Sequence, residues 1–124
     1  MKRNIIPKKL SFNNAGAADA LLKSLMTDVL QAKKILKEPG LELFQMQDGT
    51  VVEVYGMGSF PPQKMFDKGN IVLSFRVNNL KESVKCLVEK GAELLDEINN
   101  PCATYAYCHV KLKDDLIIGL YQEN

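Results

Sequence analysis

Residues 48–56 read DGTVVEVYG. Asp-Gly is a hairpin turn signal, and the run behind it alternates valines with a single acid, Glu53. Near the far end, residues 114–122 read DDLIIGLYQ, with Gly119 standing where the first copy has Glu53. A shorter match precedes each copy, LSF at 10–12 and again at 73–75. The displacements are 63 residues (73 − 10) and 66 residues (114 − 48). Two matches in the same order mark an internal repeat, whose second copy has gained about three residues.

The rest of the chain reads outward from these hairpins. Residues 10–12 form a short strand, broken by Asn13, Asn14 and Gly16, with Asn13 or Asn14 available as a helix cap. From 17 to 37, Leu21, Leu22, Leu25, Val29 and Leu36 recur at helical spacing, with a bend expected near Thr27 and Asp28. Pro39 and Gly40 stop that helix. Residues 41–46 and 50–55 are the strands of the first hairpin. Gly58, Pro61, Pro62 and Gly69 mark 57–69 as a linker.

The order then repeats. A strand is expected over 70–77 and an amphipathic helix over 80–90, with Leu80, Val84, Leu87 and Val88 on one side and Cys86 packing beside them. Gly91 ends the helix, 92–97 is extended, the Asn-Asn-Pro cluster at 99–101 is a loop, and 104–112 with 116–121 form the closing hairpin. Neither half alone can cover both faces of a small sheet, so the halves must share a core or a cavity.

Composition narrows the function classes. The chain has 124 residues, 46% hydrophobic and 25% charged, which are ordinary globular values. A formal charge of +1, without a basic stripe, argues against a nucleic-acid partner. No apolar run approaches a membrane span, and no apolar segment follows the basic start, so neither membrane nor signal peptide is expected. Cys86, Cys102 and Cys108 are odd in number and lack metal-site spacing, which fits reduced thiols in a cytoplasm. Cys102, beside Pro101, is the one expected to be exposed.

Strand alternation sorts the side chains into two faces. Leu10, Phe12, Leu73, Phe75 and Val77 belong to the helix side. Opposite them fall Lys9, Ser11, Glu53 and Tyr55 in the first half, and Val72, Ser74, Arg76, Tyr105, Tyr107, His109, Gly119 and Tyr121 in the second. Hydroxyls, tyrosines, an acid and bases among aliphatics suit a concave small-molecule site. Arg76 suits a carboxylate or phosphate, and the tyrosines suit a planar ligand. Glu53 on such a face needs a compensating charge, from Lys9 or Arg76. Cys108 should point the other way from His109, which excludes a Cys–His nucleophile pair.

The chain resembles the vicinal oxygen chelate superfamily, which holds glyoxalase I, extradiol dioxygenases and bleomycin-resistance-type proteins. The resemblance lies in LSFRVNNL at 73–80, TDVL at 27–30 and the two hairpins, and covers about residues 5–122. It implies an α+β fold. Two tandem βαβββ modules, about 5–56 and 70–122 within one domain over 1–124, would curl mixed sheets around a shared concave cavity, in a homodimer.

Enzymes of that family hold a divalent metal at four positions, one on the first and one on the last strand of each module. These correspond to Lys9, Glu53, Val72 and Gly119. Among them only Glu53 is a metal ligand, so the metal is expected to be absent and no cofactor is expected. The reading that follows is a metal-free small-molecule-binding protein, with Lys9, Ser11, Glu53, Tyr55, Ser74, Arg76, Tyr105, Tyr107 and Tyr121 lining the site. The alternative is a lyase, isomerase or dioxygenase-like enzyme with an atypical metal set, or with Glu53 or His109 as an acid–base residue. A duller alternative is a structural module with no ligand.

Overall fold

The computed structural model describes residues 8–13, 20–56, 61 and 64–123. The chain divides into two compact units, Met1–Pro61 and Pro62–Asn124.

In the first unit the described elements are β1 (Lys8–Asn13), α1 (Ala20–Ser24) running into a π-helical turn (Leu25–Val29), β2 (Lys33–Glu38), β3 (Leu41–Gln45) and β4 (Val51–Tyr55). They build an open mixed sheet ordered β2-β3-β4-β1, with β1 parallel to β4 and the other pairs antiparallel. Register places Leu10 and Phe12 beside Val52 and Val54, and Phe44 beside Val52, on one face. Met26 closes over them, with Leu22 and Leu30 packed alongside. The fully buried members, Met26, Phe44 and Val52, each contribute about 1.5–3 kcal/mol.

The helix is shorter than its periodicity suggested. Gln31 takes φ 53°, Leu30 N–H donates to Leu25 O at 2.8 Å and Ala32 N–H to Met26 O at 2.8 Å, a left-handed closure of the helix end. The chain re-emerges as β2, so 33–37 is an edge strand and not helix. Its side chains are all exposed, and a register shift between Lys34 and Leu36 breaks strict alternation, which is why the strand left no period-two signature. Pro39 and Gly40 (φ 81°) then form a tight β2–β3 turn in place of a helix stop. The inward helical residues are Leu22, Met26 and Leu30, whereas Leu21 and Val29 are exposed. The expected helix start at 17 and the Asn14 cap lie outside the described residues.

The Asp-Gly hairpin carries a three-residue loop rather than two. Gly49 N–H donates to Met46 O at 2.9 Å and Met46 N–H to Thr50 O at 2.8 Å, with Gly49 at φ 92°. This is the turn-plus-bulge solution for three residues. Asp48 Oδ1 accepts from Thr50 N–H at 2.9 Å, and that bond holds the Asp48 carboxyl below its ordinary pKa.

In the second unit β5 (Ile71–Arg76) leads to α2 (Leu80–Glu89), then β6 (Glu93–Leu94), β7 (Asn99–Cys102), β8 (Tyr105–Lys113) and β9 (Leu116–Glu123). The sheet is again open and mixed: β5 runs parallel to β9, β9 antiparallel to β8, and β6 and β7 both pair antiparallel with β8. Asn79 caps α2 by accepting from Glu82 N–H at 3.0 Å, and Gln122 Oε1 takes the Leu80 N–H at 2.7 Å, tying the helix start to β9. Leu80 and Val84 pack on Cys108 and Leu120, with Val77, Leu87, Ala106 and Ile118 around them.

Four expectations fail in this unit. The Asn-Asn-Pro cluster is strand, not loop: β7 pairs with β8 across a register irregularity between Asn99 and Cys102, where Pro101 costs no ladder bond. Cys86 is exposed rather than packed, and Val88 is exposed as well. Phe75, expected against the helix, is 40% exposed. Among the described residues no helix is long and apolar enough to cross a membrane.

Candidate functional site

In the first unit, strand register gathers Lys9, Ser11, Glu53 and Tyr55 on the face away from Met26. Ser11 lies beside Glu53, Glu53 beside Leu43, and Leu43 beside Leu36. Asn13, Tyr55 and Leu41 form the adjoining row. Glu53 is the hub. Its Oε1 accepts from Ser11 Oγ at 2.7 Å and from Tyr55 Oη at 3.4 Å, while Lys9 Nζ stands 3.3 Å from Oε2. The ion pair is well covered, with 14% and 16% of the two side chains exposed. A carboxylate in that setting must be compensated, and an ammonium with two hydroxyls does so. The charge partner is Lys9. Arg76 is held by Glu123, at 3.6 Å between Nη1 and Oε1. Leu36, Leu41 and Leu43 share this face; Leu36 escaped the sequence reading because 33–37 looked helical, and Leu41 and Leu43 because the strand at 41–46 was not sorted by alternation.

The second unit places Ser74, Gly119 and His109 in one row, and Arg76, Tyr121, Tyr107 and Asn99 in the next. Tyr105 lies beyond, between Glu123 and Cys102. The tyrosines touch one another: Tyr105 to Tyr107 at 5.7 Å between ring centroids, and Tyr105 to Tyr121 at 6.0 Å. Ser74, His109 and Tyr121 are buried, so much of this face is filled rather than solvated.

His109 proves more embedded than a hairpin histidine suggests. Asp96 Oδ1 accepts its backbone N–H at 3.1 Å, and Asp96 Oδ2 lies 3.4 Å from Nδ1. The carboxylate thereby pins both the strand and the ring orientation. Cys108 points to the α2 side, as alternation required, and burial pushes its thiol up to about 12. Cys102 is exposed, and the Thr104 hydroxyl lowers its pKa.

The four positions that correspond to the family metal site fall two to a unit, Lys9 and Glu53 in the first and Val72 and Gly119 in the second. In the first, Glu53 is a competent ligand, but Lys9 holds its carboxylate with a fixed positive charge that repels a divalent cation. In the second, Val72 is buried and has no donor atom, and Gly119 has no room for one. A Cβ built on Gly119 would run into Ser74 Oγ and come within 3.3 Å of His109 Cδ2. The residues present do not fit the family metal.

Two described clefts lie elsewhere. One of about 490 Å³ opens at the β2–β3 turn, bordered by Lys23, Pro39, Glu42 and Val54. Another of about 290 Å³ separates the start of α2, at Asn79 and Lys81, from Ile98, Asn100 and Tyr105. Tyr105 lines the second; the other expected ligand residues line neither.

The mixed sheets and helices form a glyoxalase-like fold. No family model matches the sequence, and no curated protein matches it. Solved structures do. A glyoxalase/bleomycin resistance protein/dioxygenase superfamily member from Vibrio splendidus 12B01 is similar at TM-score 0.68 and 15% identity, over 96% of this chain and 100% of that one. Methylmalonyl-CoA epimerase from Mycobacterium tuberculosis is similar at TM-score 0.68 and 17% identity, over 100% and 93%. Glyoxalase I from Zea mays is similar at TM-score 0.58 and 18% identity, over 93% of this chain and 42% of that one. At such identities the likeness is one of fold.

Proposed function

We propose that the protein is a metal-independent small-molecule-binding protein of the glyoxalase/bleomycin-resistance type. In this reading the two units are tandem modules, each with a mixed face suited to a ligand, within a cytoplasmic homodimer. One observation carries the reading: the single metal-competent side chain of the four, Glu53, is bound by the Lys9 ammonium at 3.3 Å. An ion pair fills the corner where a family enzyme would hold its metal, and the surrounding hydroxyls and tyrosines remain as orienting groups for a ligand. A thermal-shift screen of planar and anionic metabolites, run with and without a chelator, tests the proposal. A ligand that raises Tm equally in both supports it through mass action. A shift that chelation abolishes overturns it.

A second reading, acid–base catalysis, is favoured by the Asp96 carboxylate behind His109 Nδ1 at 3.4 Å, an arrangement that orients an imidazole for proton transfer. Two of the similar structures are an epimerase and a glyoxalase. Turnover of a bound ligand, lost in Asp96→Asn with binding retained, would favour it over the first.

A further inference from the structure

On the mixed face of the second unit, one arginine stands at the edge of an aromatic row. Register sets Arg76 on β5 beside Tyr121 on β9, and Tyr121 beside Tyr107 on β8. Adjacent strands lie about 4.8 Å apart, so the Arg76 and Tyr107 positions are separated by about 10 Å. Tyr105 leans over both other tyrosines, with interplanar angles of 41° and 44°. Tyr121 is buried and forms the floor; Tyr105 and Tyr107 are half-buried.

The guanidinium is held loosely. Arg76 Nη1 stands 3.6 Å from Glu123 Oε1, and Nη2 donates to the Glu123 backbone O at 3.5 Å. A close Arg–carboxylate fork brings these atoms to about 2.7–2.9 Å. The Glu123 side chain is 42% exposed and that of Arg76 28%, a pair of the kind that contributes little to stability. A carboxylate arriving in good geometry can therefore replace Glu123 at small cost, while an attached ring covers the tyrosines.

We infer that the Arg76–Tyr107–Tyr105 face binds a planar aromatic carboxylate, with its carboxylate on Arg76 in place of Glu123 and its ring on the tyrosines. The inference rests on the binding-protein reading and names the ligand class for one part of the site. Leu43 and Glu53, on the other unit, take no part in it.

Calorimetric titration with 2-naphthoate, 2-naphthol and hexanoate tests it. Naphthoate is expected to bind, with naphthol and hexanoate each weaker by about tenfold or more, since each lacks one of the two contacts. Arg76→Gln should cost naphthoate about tenfold and leave naphthol unchanged, while Glu123→Gln, which removes the competing carboxylate charge, should tighten naphthoate a few-fold. Glu123→Gln alters an exposed side chain and decides the matter if Arg76→Gln fails to fold. Absence of naphthoate binding, equal binding of naphthol, or no effect of Glu123→Gln overturns the inference. If naphthoate binds but responds to Lys9→Met and not to the Arg76 and Glu123 variants, the binding-protein reading stands and this assignment falls.

Discussion

Replacing Glu53 with glutamine removes one charge and little else. The amide oxygen can still accept from Ser11, so the loss falls on Lys9, whose ammonium stands 3.3 Å from the present carboxylate. At that separation and an effective dielectric of 20 the gross attraction is about 5 kcal/mol, most of it offset by desolvation of both ions. Breaking a buried pair costs about 3–5 kcal/mol and an exposed pair about 0–1 kcal/mol. With 14% and 16% of the side chains exposed, this pair falls between those limits, toward the buried one. Glu53→Gln should therefore cost about 2 kcal/mol. Glu53→Ala also strips the buried Ser11 hydroxyl of its acceptor and should cost about 3–4 kcal/mol. Lys9→Met should cost about as much as Glu53→Gln, yet the double variant should cost less than the two together, by about 1–2 kcal/mol. Urea unfolding monitored by circular dichroism measures all four proteins. Additivity to within about 0.3–0.5 kcal/mol would show that the two side chains do not interact, and would refute the reasoning.

Further expectations concern the second copy and the thiols. Gly119→Ala should destabilise by about 1–3 kcal/mol, because its methyl meets Ser74 Oγ, and Ser74→Gly in the same chain should recover most of the loss; urea midpoints of the single and double variants check this. Iodoacetamide at neutral pH, followed by peptide mass mapping, should modify Cys102 ahead of Cys108, whose thiol is buried with its pKa pushed up to about 12. Folding holds the Cys108 proton more tightly than the unfolded chain does, so its contribution to stability is full below the ordinary thiol value of 9.0 and is lost as pH rises toward about 12. The opposite sign holds for Asp48, whose carboxyl is lowered by the Thr50 N–H: its contribution is present above the ordinary 3.8 and lost as pH falls. Asp48→Ala should flatten the acid limb of a stability–pH curve.

The hairpins around residues 48–56 and 114–122 were legible because strand alternation and turn residues are local properties of the chain. Glu53 and Gly119, matched by sequence alone, occupy corresponding positions, each beside a serine on the first strand of its unit, Ser11 and Ser74. Register sets Ser11 beside Glu53 and Ser74 beside Gly119, the neighbours that alternation assigned to the same face. The edge elements were not legible. In β2 an irregular register and wholly exposed side chains left Leu36 in step with Val29, so a strand passed for the end of a helix. In β7 the proline-bearing stretch carries no alternation because its pairing to β8 is irregular. The burial of His109 was hidden for another reason: Asp96, which pins it, lies 13 residues away on a segment whose course is set by tertiary pairing.

The central proposal is that Lys9 occupies Glu53 in place of a metal. Elemental analysis of protein purified without chelators, followed by calorimetric titration with zinc, nickel, manganese and iron(II), tests it most directly. The account predicts no stoichiometric metal in the purified protein and no saturable binding that Glu53→Gln removes. One equivalent of any of these metals per chain, lost in Glu53→Gln, would contradict it.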